Sequence, residues 1–98
     1  MKNATHTAAQ SPKDAAHLRK LRYRAWHRGT REMDLLLGPF ADDMLEKLDS
    51  QELNDFESLM DVPDGDLQDW ILHNMMAPDE FETALLKRIR NFNHERRA

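Results

Sequence analysis

The sequence contains no cysteine, and its three glycines are isolated from one another. The absence of cysteine excludes disulfides, thiolate metal sites and cysteine nucleophiles, and it fits a reducing compartment. The scattered glycines form no phosphate-binding loop. No apolar run is longer than that of Leu35–Leu37, which is far too short to cross a membrane. Residues 1–12 lack the apolar stretch of a secretory signal and are poor in arginine, so we expect no targeting segment there.

The titratable residues are not arranged as an active site or a metal site. No two histidines lie three or four residues apart, so no helix turn pairs them as metal ligands. The carboxylates, such as Asp42 and Asp43, lie in polar stretches, where burial is not expected to shift a pKa for acid–base catalysis. We therefore predict no catalytic, metal-binding or cofactor-binding residues in this chain.

Charge is distributed in blocks beneath a net charge of −4. Residues 1–32 and 87–98 are rich in Lys and Arg, whereas residues 33–86 contain fifteen acids and one base, Lys47. Two interpretations stay open: the basic ends dock on the acidic middle, or they form surfaces for a partner. The first helix also interleaves arginines with Tyr23 and Trp26, as a nucleic-acid binder does, although a pI near 5.7 argues against that function.

Helical periodicity dominates the chain, and no alternating β-branched stretch indicates a strand. The pattern predicts an all-α, compact five-helix bundle, or six helices if short segments count separately. We expect a flexible lead-in at 1–13, one helical domain at 14–93 and a flexible tail at 94–98. The first three predicted helices are 14–28, 30–37 with Thr30 as N-cap, and 39–48. A fourth starts at Asp49-Ser50, with either residue as its cap, and has Leu53, Phe56, Leu59 and Met60 inward. A fifth has Leu67, Trp70, Ile71 and Met75 inward, and the last is 79–93.

The segment from Arg28 to Asp34 concentrates charge around a glycine. Gly29 exposes bare backbone, and the helix that starts after it presents free N–H groups and a positive dipole end. Glu32 is placed to pair with Arg28 or to brace Arg31. A purely structural interpretation also stays open, in which Gly29 ends one helix and Glu32 complements the first turn of the next.

The motif Arg28-Gly29-x-x-Glu32, with Asp34 two residues on, resembles the signature of the flavinylation and assembly factors of succinate dehydrogenase (SdhE-like). The resemblance covers about residues 15–93. It includes the basic aromatic helix before the motif, the Leu35–Phe40 segment, Asp66-Leu67-x-x-Trp70, Pro78 and the closing amphipathic helix. Two features depart from the family pattern: His27 precedes the motif where a second basic residue is common, and Met75-Met76 replaces a small residue.

The resemblance implies a function as an assembly factor rather than an enzyme. Such a chain binds the flavoprotein subunit of succinate dehydrogenase, and in some bacteria that of fumarate reductase, and promotes covalent attachment of FAD to a histidine there. By position, Arg28, Gly29, Arg31, Glu32 and Asp34 would form the partner contact. FAD would be the cofactor of the partner and not held stably here. We expect a monomer in the bacterial cytoplasm, with no nucleic-acid partner and no membrane insertion. The alternative is a small adaptor or nucleic-acid binder that uses the basic first helix.

Overall fold

Five α-helices account for most of residues 14–97, which are the residues that the computed structural model describes. They are α1 (Ala15–Trp26), α2 (Arg31–Met44), α3 (Ser50–Met60), α4 (Asp64–Ile71) and α5 (Ala84–Arg97), with a 3₁₀ turn at Leu45–Lys47 after α2. No strand occurs within this range. The predicted all-α five-helix fold is confirmed, whereas the predicted lead-in at 1–13 lies outside the described residues.

Helix α2 runs without interruption through Gly38-Pro39, so the predicted break between two short helices at this point is wrong. Pro39 cannot donate to the carbonyl of Leu35, which normally ends or kinks a helix. Burial on both sides of the proline compensates, because Leu36, Leu37 and Phe40 are almost fully buried. The apolar stripe continues in register across the proline and keeps the helix on the core.

The helix ends agree with the sequence pattern at α3 and disagree at α4 and α5. Of the two predicted cap residues, Asp49 and Ser50, it is Asp49 that caps α3, in a reciprocal capping box with Glu52. Helix α4 ends at Ile71, so Met75, predicted to face inward, is exposed. Helix α5 begins at Ala84 and not at Asp79, and it continues to Arg97, past the predicted end at residue 93. The Thr83 hydroxyl accepts a hydrogen bond from the Leu86 amide at 3.1 Å and starts this helix.

The core contains side chains from every helix. Phe40 lies at its centre, stacked on Phe56 at 6.1 Å and edge-on to Phe92 at 5.4 Å between ring centroids. The buried polar residue here is Asn93, whose amide donates to the carbonyls of Leu36 and Ile89 at 3.0 Å each. These two bonds satisfy the amide N–H groups and tie the last turns of α5 to α2.

The basic helices pair with the acidic middle of the chain. On α1, Arg22 lies 3.3 Å from Asp42, and Arg24 lies 2.6 Å from Asp61. On α5 the pairs are Arg88 with Glu52 and Arg90 with Glu82. The structure thus supports the interpretation in which the basic ends dock on the acidic middle, although Arg19 and Lys20 stay exposed.

The corner between α1 and α2 depends on Gly38. A Cβ at this position would lie 2.3 Å from Cδ2 of Trp26, so only glycine admits the indole against α2. The ring is held there because Trp26 Nε1 donates to Asp42 at 3.2 Å.

We expect Gly38→Ala to lower the free energy of unfolding by about 1–3 kcal/mol, because the indole must move and release Asp42. The measurement is urea unfolding followed by circular dichroism. Gly65→Ala is the matched control, since a Cβ there meets nothing within 4 Å and the helix gains alanine. Equal unfolding midpoints for the wild type and Gly38→Ala would contradict this account.

The segment between α4 and α5 is fastened by Glu82 and Arg90. Glu82 pairs with the Arg90 guanidinium and accepts the amide of Ala77 at 2.9 Å, and Arg90 also donates to the carbonyl of Trp70 at 2.7 Å. Hydrogen bonding from Arg90 lowers the pKa of Glu82 from its ordinary 4.5 to about 2, although burial opposes the shift. These contacts hold the segment before α5, where residues 79–81 form a turn and a helix start was predicted.

Because the folded-state pKa of Glu82 is the lower one, its ionisation stabilises the fold above pH 4.5, and this contribution is lost as pH falls towards 2. Glu82→Gln should therefore reduce stability at neutral pH and flatten the pH dependence of unfolding between these values. Thermal unfolding across this range tests it, with the exposed Glu80→Gln as the control. An unchanged pH slope in Glu82→Gln would refute the assignment.

Candidate partner-binding surface

The first residue of the motif points into the protein. The side chain of Arg28 is only 10% exposed, and its guanidinium donates to three different acceptors. Nε bonds Asp64 at 2.9 Å, Nη1 bonds the Met60 carbonyl at 2.7 Å, and Nη2 bonds the Val62 carbonyl at 2.8 Å. Met60 is the last residue of α3 and Asp64 the first of α4, so one side chain holds the α1–α2 loop against the α3–α4 turn.

Gly29 lies on the outer side of this loop and is exposed. Its φ of +117° is strained for any residue with a side chain, whereas a Cβ there would meet nothing within 4 Å. The glycine is therefore required by the backbone conformation and not by packing within the chain. The space outside it is open to another molecule.

The loop closes on the start of α2 through two further bonds. Thr30 caps the helix, since its hydroxyl accepts from the Met33 amide at 3.2 Å, as the sequence predicted. The Asp34 carboxylate accepts from the amide of Arg28 at 2.7 Å. Together with the guanidinium contacts, these bonds fix the backbone from Arg28 to Asp34 in one conformation.

Arg31 and Glu32 lie on the exposed first turn of α2. The proposed pairing of Glu32 with Arg28 or Arg31 is not formed, because Glu32 instead accepts a hydrogen bond from Gln68 of α4 at 3.1 Å. Arg28 pairs with Asp64, and the side chain of Arg31 has no hydrogen bond or ion pair with any residue in 14–97. Of the five predicted contact residues, Gly29, Arg31 and Glu32 face solvent, and Arg28 and Asp34 support the loop.

Two open depressions flank Leu35, which the motif does not include. One, of about 540 Å³, is lined by Trp26, His27, Gly29, Thr30, Arg31, Asp34 and Leu35. The other, of about 230 Å³, is lined by Glu32, Leu35, Leu36, Asn93 and Arg96. Leu35 is 40% exposed. The sequence motif does not include Leu35, although its position on the helix face opposite Met33 and Phe40 indicates an exposed leucine.

The described part of the chain offers little support for a metal-binding, membrane-spanning or nucleic-acid-binding function. Residues 14–97 contain no group of three His, Asp or Glu side chains placed to hold a metal ion. None of the helices in this range has the length and apolar composition needed to span a bilayer. Tyr23 is exposed and stacks on His27 at 3.9 Å, but the neighbouring Arg22 and Arg24 are in internal ion pairs.

The fold and this surface define a small all-α domain whose most distinctive exposed feature is a rigid glycine loop at a helix start. The sequence matches the family described as "Flavinator of succinate dehydrogenase" over residues 19–93. The chain belongs to this family, which confirms the resemblance inferred from the motif and the prediction of an assembly factor rather than an enzyme.

Individual relatives agree with the family match. The chain is 39% identical over 75 residues to an "FAD assembly factor SdhE" of Acetobacter pasteurianus, covering 76% of this chain and 69% of the relative. It is 42% identical over 73 residues to a mitochondrial "Succinate dehydrogenase assembly factor 2" of Dictyostelium discoideum, covering 74% of this chain but only 52% of the relative. An "FAD assembly factor SdhE" of Haemophilus ducreyi is 35% identical over 63 residues, 64% of this chain and 77% of that relative. No solved structure is significantly similar to the chain.

We expect Arg28→Lys to lower the free energy of unfolding by about 1–3 kcal/mol, because one ammonium group cannot reach three acceptors held by a planar guanidinium. Arg31→Lys, three residues away and with no side-chain partner among residues 14–97, should change stability by less than about 0.5 kcal/mol. Urea unfolding of both variants measures the contrast. Equal losses in the two would show that Arg28 does not hold the loop.

Proposed function

We propose that this chain binds the flavoprotein subunit of succinate dehydrogenase and promotes covalent attachment of FAD to it. The family match and the printed descriptions of the relatives support this function. The observation that carries the proposal is the rigid loop, which presents Gly29 and Glu32 outward while Arg28 is used inside the fold. A surface held in one conformation binds a partner without the entropic cost of ordering it.

In this proposal the chain acts by positioning and supplies no reacting group. It binds the arrangement of the flavoprotein in which FAD and its target histidine are aligned, and it thereby raises the population of that arrangement. Alignment of two reactants alone lowers a barrier by several kcal/mol. FAD stays bound to the flavoprotein, and the bond-forming chemistry takes place there.

The range of partners is a further part of the proposal. The flavoprotein of fumarate reductase presents the same chemical task, so a chain that recognises the aligned FAD and histidine would serve both. We propose that the chain acts as a monomer, since one exposed loop provides one contact, and that it works in the bacterial cytoplasm. These points rest on the family relationship and on the position of the loop.

The test is co-expression of the flavoprotein subunit with the wild-type chain, Gly29→Arg or Glu32→Ala, followed by flavin fluorescence of the denatured flavoprotein. We expect Gly29→Arg to abolish most covalent flavin, because a side chain there both strains the loop and blocks close approach. Glu32→Ala should reduce it severalfold. Gly65→Arg is the control, as this glycine is exposed and has no neighbour within 4 Å of a Cβ. Covalent flavin that does not depend on the chain, or that both motif variants leave unchanged, would disprove the function.

A further inference from the structure

Leu35 lies at the middle of an exposed strip that reaches from the α1–α2 loop to the end of α5. It follows Arg31 by one turn on the outer face of α2, while the inner face of that helix is buried. The depression on one side of Leu35 includes Gly29, and the depression on the other side includes Arg96. The strip Gly29–Arg31–Leu35–Arg96 is thus continuous with the motif but extends beyond it onto another helix.

The strip carries two cations that are not used inside the fold. The side chains of Arg31 and Arg96 make no hydrogen bond or ion pair within residues 14–97. Two carboxylates lie beside them, but Glu32 accepts from Gln68 and Asp34 accepts from the amide of Arg28, and neither forms an ion pair with Arg31 or Arg96. Elsewhere on α1 and α5, Arg22, Arg24, Arg88 and Arg90 pair with acids of this chain. Within residues 14–97 no acid pairs with either guanidinium, so both can bind carboxylates of another molecule, one on each side of an exposed leucine.

The side chain of Arg96 contacts an aromatic ring, although it has no ionic partner within residues 14–97. The guanidinium carbon of Arg96 lies 5.6 Å from the centroid of the Phe92 ring, a cation–π contact. Phe92 itself packs edge-on against the core residue Phe40. One turn before Arg96, Asn93 bonds the Leu36 carbonyl and fixes α5 to α2 beside Leu35. The distance between the two arginines is consequently set by the packing of two helices.

We infer that Leu35 is the apolar anchor of the contact with the flavoprotein subunit, and that Arg31 and Arg96 bind carboxylates on either side of it. This inference rests on the proposed function and extends its contact surface to α5. The complementary face of the flavoprotein is a small apolar depression rimmed by Asp or Glu side chains. A buried apolar anchor ringed by polar contacts is the arrangement that supplies most of the affinity in protein interfaces.

Binding to the purified flavoprotein subunit of the same organism, carrying non-covalent FAD, is the first measurement. We expect Leu35→Asp to weaken the affinity more than about tenfold, because it places a carboxylate among carboxylates and removes the anchor. The double variant Arg31→Glu/Arg96→Glu should weaken it by a similar factor. Its binding should also lose most of the salt dependence of the wild type, since screening acts on the lost charge pairs.

The matched control is Arg19→Glu/Lys20→Glu, which makes the same change in net charge on exposed residues of α1. It should bind like the wild type, which separates specific ion pairs from a general effect of the net charge of the chain. Leu35→Ala provides a second variant that adds no charge, with a loss of a few fold. Circular dichroism of each variant checks the fold, which an exposed position should leave intact.

The outcomes separate the inference from the function on which it rests. If Gly29→Arg abolishes covalent flavin while the Leu35 and double arginine variants bind like the wild type, the strip is not the contact and the function stands. If the control variant loses affinity as much as the double arginine variant, the effect is one of net charge and the inference fails. If Leu35→Asp instead dissolves a dimer of the chain in sedimentation and leaves flavoprotein affinity unchanged, the strip is a self-contact. Failure of the wild type to bind the flavoprotein overturns the function itself.

Discussion

The guanidinium of Arg28 lies where the α1–α2 loop meets the α3–α4 turn, and it donates to the carbonyls of Met60 and Val62 and to the carboxylate of Asp64. Two of these acceptors are backbone carbonyls at the end of α3, where a cation also complements the helix dipole. The third is the first residue of α4, Asp64. The loop that carries Gly29 is therefore held by the first four helices together. The conformation in which Gly29 faces outward depends on the largely buried guanidinium of Arg28.

The motif divides into an inward part and an outward part. Arg28 and Asp34 close the loop from within, whereas Gly29 and Glu32 are left at the surface. A substitution at Arg28 would thus act on a partner through the shape of the loop, and one at Glu32 would act on the contact itself. The distinction arises because neighbouring residues on a helix start point in different directions, so a five-residue signature contains both structural and contact residues.

Charge within the chain follows the same division. Most arginines of α1 and α5 neutralise the acidic middle, which explains how a chain with such uneven charge blocks folds as one domain. The more exposed of these pairs contribute little each to stability, whereas Arg90–Glu82, with side chains 16% and 14% exposed, contributes more. They also leave Arg31 and Arg96, whose side chains have no acidic partner in the part of the chain that the structure describes, beside the exposed Leu35.

The amino-acid sequence alone determined the all-α class, the caps at Thr30 and Asp49, the absence of cysteine chemistry and the family, because these depend on residue type and on contacts within a few residues. Tertiary structure alone decided the rest. Helix α2 continues through Pro39 because both flanks are buried, and residues 79–83 stay outside α5 because Glu82 bonds Arg90 and Ala77. The inward position of Arg28 depends on acceptors 32 to 36 residues away. Local spacing contains no information about which distant carbonyl a guanidinium will meet, and packing of the helices determines that.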